Sequence, residues 1–112
     1  MKRIIAITAI FLLYPSLLLA GSVRGTIKVG GRPIEEGVLI KVIPEGNKVY
    51  TTKTDRFGSY RLTIRQTGRC RFILENYHNQ SPEFEIQSYK NSVEYNFVLE
   101  RDRQGAYYLR RE

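Results

Sequence analysis

The sequence has no tryptophan, one cysteine, one histidine and one methionine in 112 residues. Each scarcity closes a class of function. A lone cysteine rules out a disulfide within the chain, even in an oxidising compartment. One histidine and one cysteine fall short of the nitrogen and sulfur ligands that hold zinc. Without tryptophan there is none of the flat indole platform on which carbohydrate-binding sandwiches stack sugars. Past the first twenty or so residues no stretch repeats at the helical period of 3.6. No run of four cations is present either.

What is present begins with an export signal. Met1-Lys2-Arg3 is a short basic start, and residues 4–19 are almost wholly apolar, with Thr8, Tyr14, Pro15 and Ser16 as the exceptions. A basic start, an apolar stretch and then small residues is the secretory signal pattern. The stretch is shorter than the ~20 residues that span a bilayer as a helix, and Pro15 breaks a helix interior. The alternative is an uncleaved anchor. Cleavage is expected after Ala20 or Ser22, where Ala20-Gly21-Ser22 supplies small residues, so residues 1–22 read as a signal peptide and residues 23–110 as one domain. Membrane contact is then confined to the transient signal, and the mature chain is periplasmic or secreted.

Lys2 and Arg3 are two of 18 cations, so 16 remain against 11 carboxylates, a net charge of +5. Such a surface favours solubility, and it also suits an anionic partner such as a lipid headgroup, lipopolysaccharide or a glycan. Export argues against nucleic acid. The densest cations are Arg61, Arg65, Arg69 and Arg71, and the expectation is that neighbouring strands 60–65 and 69–74 bring them onto one sheet face. Cys70, between Arg69 and Arg71, reads as a small buried residue. Its alternatives are an intermolecular disulfide or, if exposed beside those arginines, an activated thiol.

Along the mature chain the dominant period is two. Strands are expected over 23–29, 38–43, 49–54, 60–65, 70–74, 83–86, 92–99 and 107–110, with turn residues between them. Tyr60, Leu62 and Ile64 form one inward row, and Val93, Tyr95, Phe97 and Leu99 another. Seven or eight short strands with no helix make an all-β Greek-key sandwich, transthyretin-like or immunoglobulin-like.

The ordered series Gly25-Thr26-Ile27, Gly31-Arg32-Pro33-Ile34-Glu35-Glu36-Gly37-Val38 and Thr54-Asp55-Arg56-Phe57-Gly58-Ser59-Tyr60 resembles the carboxypeptidase regulatory-like domain. The resemblance spans residues 23 to about 74 and implies a transthyretin-like (prealbumin-like) sandwich. It implies a fold more than an activity. Each motif residue also has a local task. Pro33 fixes φ in the first turn, Gly37 and Gly58 suit positive φ, Asp55 caps its own turn, and Tyr60 opens the inward row. Arg69 and Arg71 stand where the family often has Tyr-x-Leu-x-Val.

The chemistry of related sandwiches does not transfer. Hydroxyisourate hydrolases need several histidines and a C-terminal Tyr-Arg-Gly-Ser, whereas this chain has only His78 and ends Tyr108-Leu109-Arg110-Arg111-Glu112. Intradiol dioxygenases need two histidines on iron. No nucleophile-elbow sequence supports a serine triad around His78. No catalytic residue, metal ligand or cofactor is assigned. Adjacent strand residues face opposite sides, so at least one of Tyr107 and Tyr108 is expected on the surface as a partner contact. Three readings remain: a non-catalytic envelope module that binds a protein, for instance by strand addition; a binder of anionic ligand through Arg61, Arg65, Arg69 and Arg71; and an accessory domain of an unidentified enzyme.

Overall fold

The computed structural model describes residues 21–46 and 48–112, and the expected signal segment up to residue 20 lies outside the described residues. Alternating sequence becomes alternating burial. Strand β1 (Gly21–Val29) turns Val23 and Ile27 inward and Arg24 outward. Gly21 and Ser22, ahead of residue 23, pair with Ile64 and Thr63.

Strand β1 is the spine of the first sheet. On one edge it pairs antiparallel with β2 (Arg32–Pro33) and with β5 (Ser59–Ile64). On the other it pairs parallel with β8 (Val93–Glu94) and β9 (Phe97–Arg101), and β10 (Tyr107–Arg111) follows β9. The second sheet runs β4 (Tyr50–Lys53), β3 (Leu39–Pro44), β6 (Gly68–Leu74), β7 (Glu83–Ser88) in that order. No helix occurs among the described residues.

The two sheets bury one core. Ile40 and Val42 from β3, Cys70, Phe72 and Leu74 from β6, and Tyr60, Leu62 and Ile64 from β5 meet Phe97 and Leu99. Phe72 lies at the centre, its ring 4.7 Å from Phe97 and 5.2 Å from Tyr60. A phenylalanine buried this fully contributes about 1.5–3 kcal/mol relative to exposure.

The expected strand over 92–99 is interrupted. Both halves keep the same offset against β1, Arg24 opposite Glu94 and Ile27 opposite Phe97. Between them the Asn96 side chain substitutes for backbone: its Oδ1 accepts from the Thr26 N–H at 3.0 Å and the Thr26 hydroxyl at 3.2 Å. The Tyr95 carbonyl presses on β1 at Gly25, where a Cβ would stand 1.8 Å from its oxygen. Only glycine fits there.

The strand edges define two flanks. Edges β4 and β5 lie together on one, and β7 and β10 approach each other on the opposite one. The turns between β1 and β2, β4 and β5, β6 and β7, and β9 and β10 share one end of the sandwich.

Candidate functional site

The family-like motif residues gather at that turn end, and every one serves the backbone. Asp55 Oδ1 accepts from the N–H groups of Phe57 and Ser59, both at 2.9 Å. Gly58 adopts φ +72°, and a Cβ there would sit 2.8 Å from the Ile27 carbonyl oxygen. Gly37 has φ +89°. Pro33 pairs with Lys28 in the β1–β2 hairpin. Thr54, which opens the Thr-Asp-x-x-Gly-x-Tyr series, has a task that spacing does not reveal: its buried hydroxyl donates to the Glu35 carbonyl at 2.7 Å and accepts from the Val38 N–H at 3.0 Å. The Asp-Arg-x-Gly turn recurs at residues 102–105, where Asp102 Oδ1 accepts from the Gln104 and Ala106 N–H groups, both at 2.9 Å. These carboxylates are committed to turns.

Tyr60 donates its hydroxyl proton to the Tyr95 carbonyl at 2.7 Å. Burial, reinforced by Tyr95, raises its pKa well above the ordinary tyrosine value. Cys70 is buried as well. Burial pushes its thiol up, the opposite of activation, because the flanking arginines point to the outer face while Cys70 points in.

The expectation of one four-arginine face is corrected by the topology. Strands β5 and β6 follow each other in sequence but lie in different sheets. Both turn their apolar rows into the shared core. Arg61 and Arg65 are therefore exposed on the side of the first sheet, and Arg69 and Arg71 on the outer face of the second. The latter two are already paired. Arg71 grips Glu83 through two bonds, at 3.0 and 2.9 Å, and Arg69 lies 3.8 Å from Glu45. The Arg71 guanidinium holds the Glu83 carboxyl below its ordinary range.

Tyr107 and Tyr108 divide as adjacent strand residues must. Tyr108 is exposed and donates to Glu100 at 2.8 Å, and Arg110 holds the same carboxylate at 2.7 Å. Tyr107 packs at the turn end, edge-on to Tyr77 at 5.2 Å and stacked with His78 at 5.7 Å. His78 and Asn79 have φ +49° and +65° and form a tight turn between Tyr77 and Gln80, which exchange backbone hydrogen bonds. Positive φ at both central residues is the mark of a type I′ turn. Beside it lies a shallow depression of about 640 Å³ lined by Glu35, Glu36, Glu75, Tyr77 and His78. Burial and the Glu35 carboxylate push the Tyr77 hydroxyl up to about 12. No group of three metal-ligating side chains converges among the described residues.

The flanks differ in how their edges are closed. On the β7/β10 flank, Tyr95 reaches across from the first sheet. Its hydroxyl accepts from the Gln87 N–H at 2.9 Å, on the side of β7 away from β6. The Gln80 amide mimics a strand. It donates to the Gly105 carbonyl at 3.0 Å and accepts from the Tyr107 N–H at 2.6 Å. Sequence patterning marks neither Tyr95 nor Gln80 for this role, since a side chain acting as backbone leaves no periodic signal.

On the β4/β5 flank no side chain caps the outward groups of β5 beyond Ser59. The Ile27 N–H donates to the Gly58 carbonyl, which sets the phase of the β1–β5 ladder. Alternate residues of an antiparallel edge strand bond inward, and the others point their backbone outward. Tyr60, Leu62 and Ile64 therefore bond to β1, and Ser59, Arg61 and Thr63 point away. Ser59 is satisfied by Asp55. The N–H and C=O of Arg61 and Thr63 have no protein partner among the described residues.

No family model matches the chain, and no curated protein matches it. Among solved structures, the chain is similar to a DUF3823 family protein from Parabacteroides merdae, with a TM-score of 0.57 and 13% identity over 72% of this chain. The match covers 49% of that protein, so this chain spans about half its length. At such identity the likeness is one of fold, and it places the chain among β-sandwiches.

Proposed function

We propose that the chain is exported to the periplasm or secreted, and acts there as a non-catalytic protein-binding module related to the carboxypeptidase regulatory-like domains. The observation that carries this reading is the inequality of the two flanks. One is capped by side chains, Tyr95 at Gln87 and Gln80 at Gly105 and Tyr107. The other leaves two adjacent sheet edges open, with backbone donors and acceptors free at Arg61 and Thr63. Free strand edges are templates for another chain. The export pattern of residues 1–22 supports an envelope location for that edge. The engagement of the Asp55 and Asp102 carboxylates in turns supports the absence of a catalytic role.

The test places a photoreactive side chain at Thr63 on the open flank, and at Tyr108 and Glu36 as controls, in cells that export the chain with its own signal. A single protein adduct from Thr63, recovered from the envelope fraction and weak or missing from the controls, is expected. Adducts arising from Glu36 instead would move the binding surface to the turn end. Retention of the chain in the cytoplasm would contradict the export reading.

A further inference from the structure

We infer that the open edge of β5 receives an extended acidic segment of a partner protein by strand addition, its carboxylates at alternate outward positions opposite Arg61 and Arg65. The inference rests on the protein-binding reading above and assigns the partner's chemistry.

The backbone sets where the added strand lies. Ser59 is consumed by the Asp55 turn, so the free run begins at Arg61 and continues through Thr63. An antiparallel strand centred on Thr63 forms bonded pairs opposite Arg61 and Thr63, and its next outward residue comes beside Arg65, in the bend where β5 ends. Its residues opposite these three face outward, and the two between them face inward beside Leu62 and Ile64. The segment then reads acidic, apolar, small polar, apolar, acidic.

Charge selects the acidic ends. Arg61 stands directly opposite Arg24 across the β1–β5 pair. Like charges in that position oppose each other. None of the ion pairs among the described residues involves Arg24, Arg61 or Arg65, whereas Arg69, Arg71 and Arg110 each hold a glutamate. Glu94 faces Arg24 from β8, on the side of β1 away from β5. A carboxylate brought in beside Arg61 relieves the arginine pair from the open side.

The same charges disfavour a second copy of this chain. Two β5 edges paired about Thr63 set Arg61 of each against Arg65 of the other. Strand β7 offers acids at alternate positions, Glu83 and Glu85, but Arg71 holds Glu83 and Tyr95 caps the β7 edge at Gln87. A partner of different sequence fits better on both counts.

The probe is a synthetic peptide, Glu-Val-Thr-Val-Glu flanked by serines, titrated into the mature protein while the amide resonances of Arg61 and Thr63 are followed. A lysine-for-glutamate peptide and two N-methylated forms accompany it. The acidic peptide is expected to shift both amides. N-methylation of its threonine, whose N–H faces β5, should weaken binding about tenfold, the loss of roughly one well-made hydrogen bond. N-methylation of a valine, whose N–H points away, should leave affinity unchanged. The double variant Arg61→Glu/Arg65→Glu, at exposed positions that the core does not need, should reverse the preference toward the lysine peptide. Equal binding of the lysine peptide, or indifference to N-methylation of the threonine, overturns the inference. So does arginine-dependent binding to anionic phospholipid vesicles with no response to any peptide. If no peptide shifts Arg61 or Thr63 while the cross-linker at Thr63 still captures one envelope protein, the acidic-strand assignment fails and the protein-binding reading stands.

Discussion

The two flanks of this sandwich solve the same physical problem in opposite ways. Each presents strand edges whose outward backbone groups need partners. On the β7/β10 flank side chains cap part of each edge, the Tyr95 hydroxyl at Gln87 and the Gln80 amide at Gly105 and Tyr107, while the outward groups of Glu85 and Leu109 have no protein partner among the described residues. On the β4/β5 flank the outward groups of Arg61 and Thr63 have none among the described residues, and exposed arginines stand beside them. Edge arginines discourage a like-charged copy from pairing there. On the proposed reading, the side-chain caps of the first flank serve stability and the uncapped β5 edge serves recognition. Substitutions on the two should separate along that line.

Gly25→Ala is expected to do the most damage. Its Cβ collides with the Tyr95 carbonyl, which displaces the residue that seals β7, at a cost of ~3 kcal/mol; denaturant unfolding measures it. Tyr95→Phe removes only the hydroxyl that caps Gln87. A loss of ~2 kcal/mol and faster amide exchange at Gln87 are expected, and unchanged exchange would show that the cap does not protect the edge.

Tyr60 is the strut between the flanks, an inward residue of β5 bonded to the Tyr95 carbonyl. Tyr60→Phe should cost about 1.5 kcal/mol at neutral pH. It should also change the alkaline limb of stability. The unfolded tyrosine ionises near pH 10 and the folded one higher. Tyr60 therefore contributes stability that is present below about pH 10 and is lost as pH rises above it. The wild type should lose stability on that climb more steeply than Tyr60→Phe; parallel curves would remove Tyr60 as the cause. Gln80→Ala should cost about 1 kcal/mol and loosen the turn at His78, read as faster exchange at Tyr107. At the small end, Arg61→Ala with Arg65→Ala should move stability by no more than ~0.5 kcal/mol while weakening partner cross-linking at Thr63. A large loss of stability would mean that these arginines serve the fold.

Much of this architecture is legible in the amino-acid sequence alone. Period-two alternation marks nearly every strand, and the inward rows of β5 and of residues 93–99 are buried or half-buried as expected. The Asp55 turn and the positive φ at Gly37 and Gly58 are readable because only a few residue types suit such turns. What alternation cannot tell is whether two consecutive strands form a hairpin in one sheet or an arch between two. Both have the same period. Strands β5 and β6 are joined by Arg65, Gln66 and Thr67, a link short enough for a hairpin, yet they form an arch because their apolar rows face each other across the core. That ambiguity is why spacing alone groups Arg69 and Arg71 with Arg61 and Arg65. The break at Tyr95 and Asn96 is hidden for another reason, since Asn96 finds its partner Thr26 seventy residues away.

Native-state amide exchange of the free mature protein tests the central claim most directly. If the β7 edge is capped at Gln87 and the β5 edge is uncapped, Gln87 exchanges slowly, while Arg61 and Thr63, at the heart of a well-formed strand, exchange nearly as fast as in an unfolded chain. Strong protection at Arg61 and Thr63, equal to that at Gln87, would contradict the account.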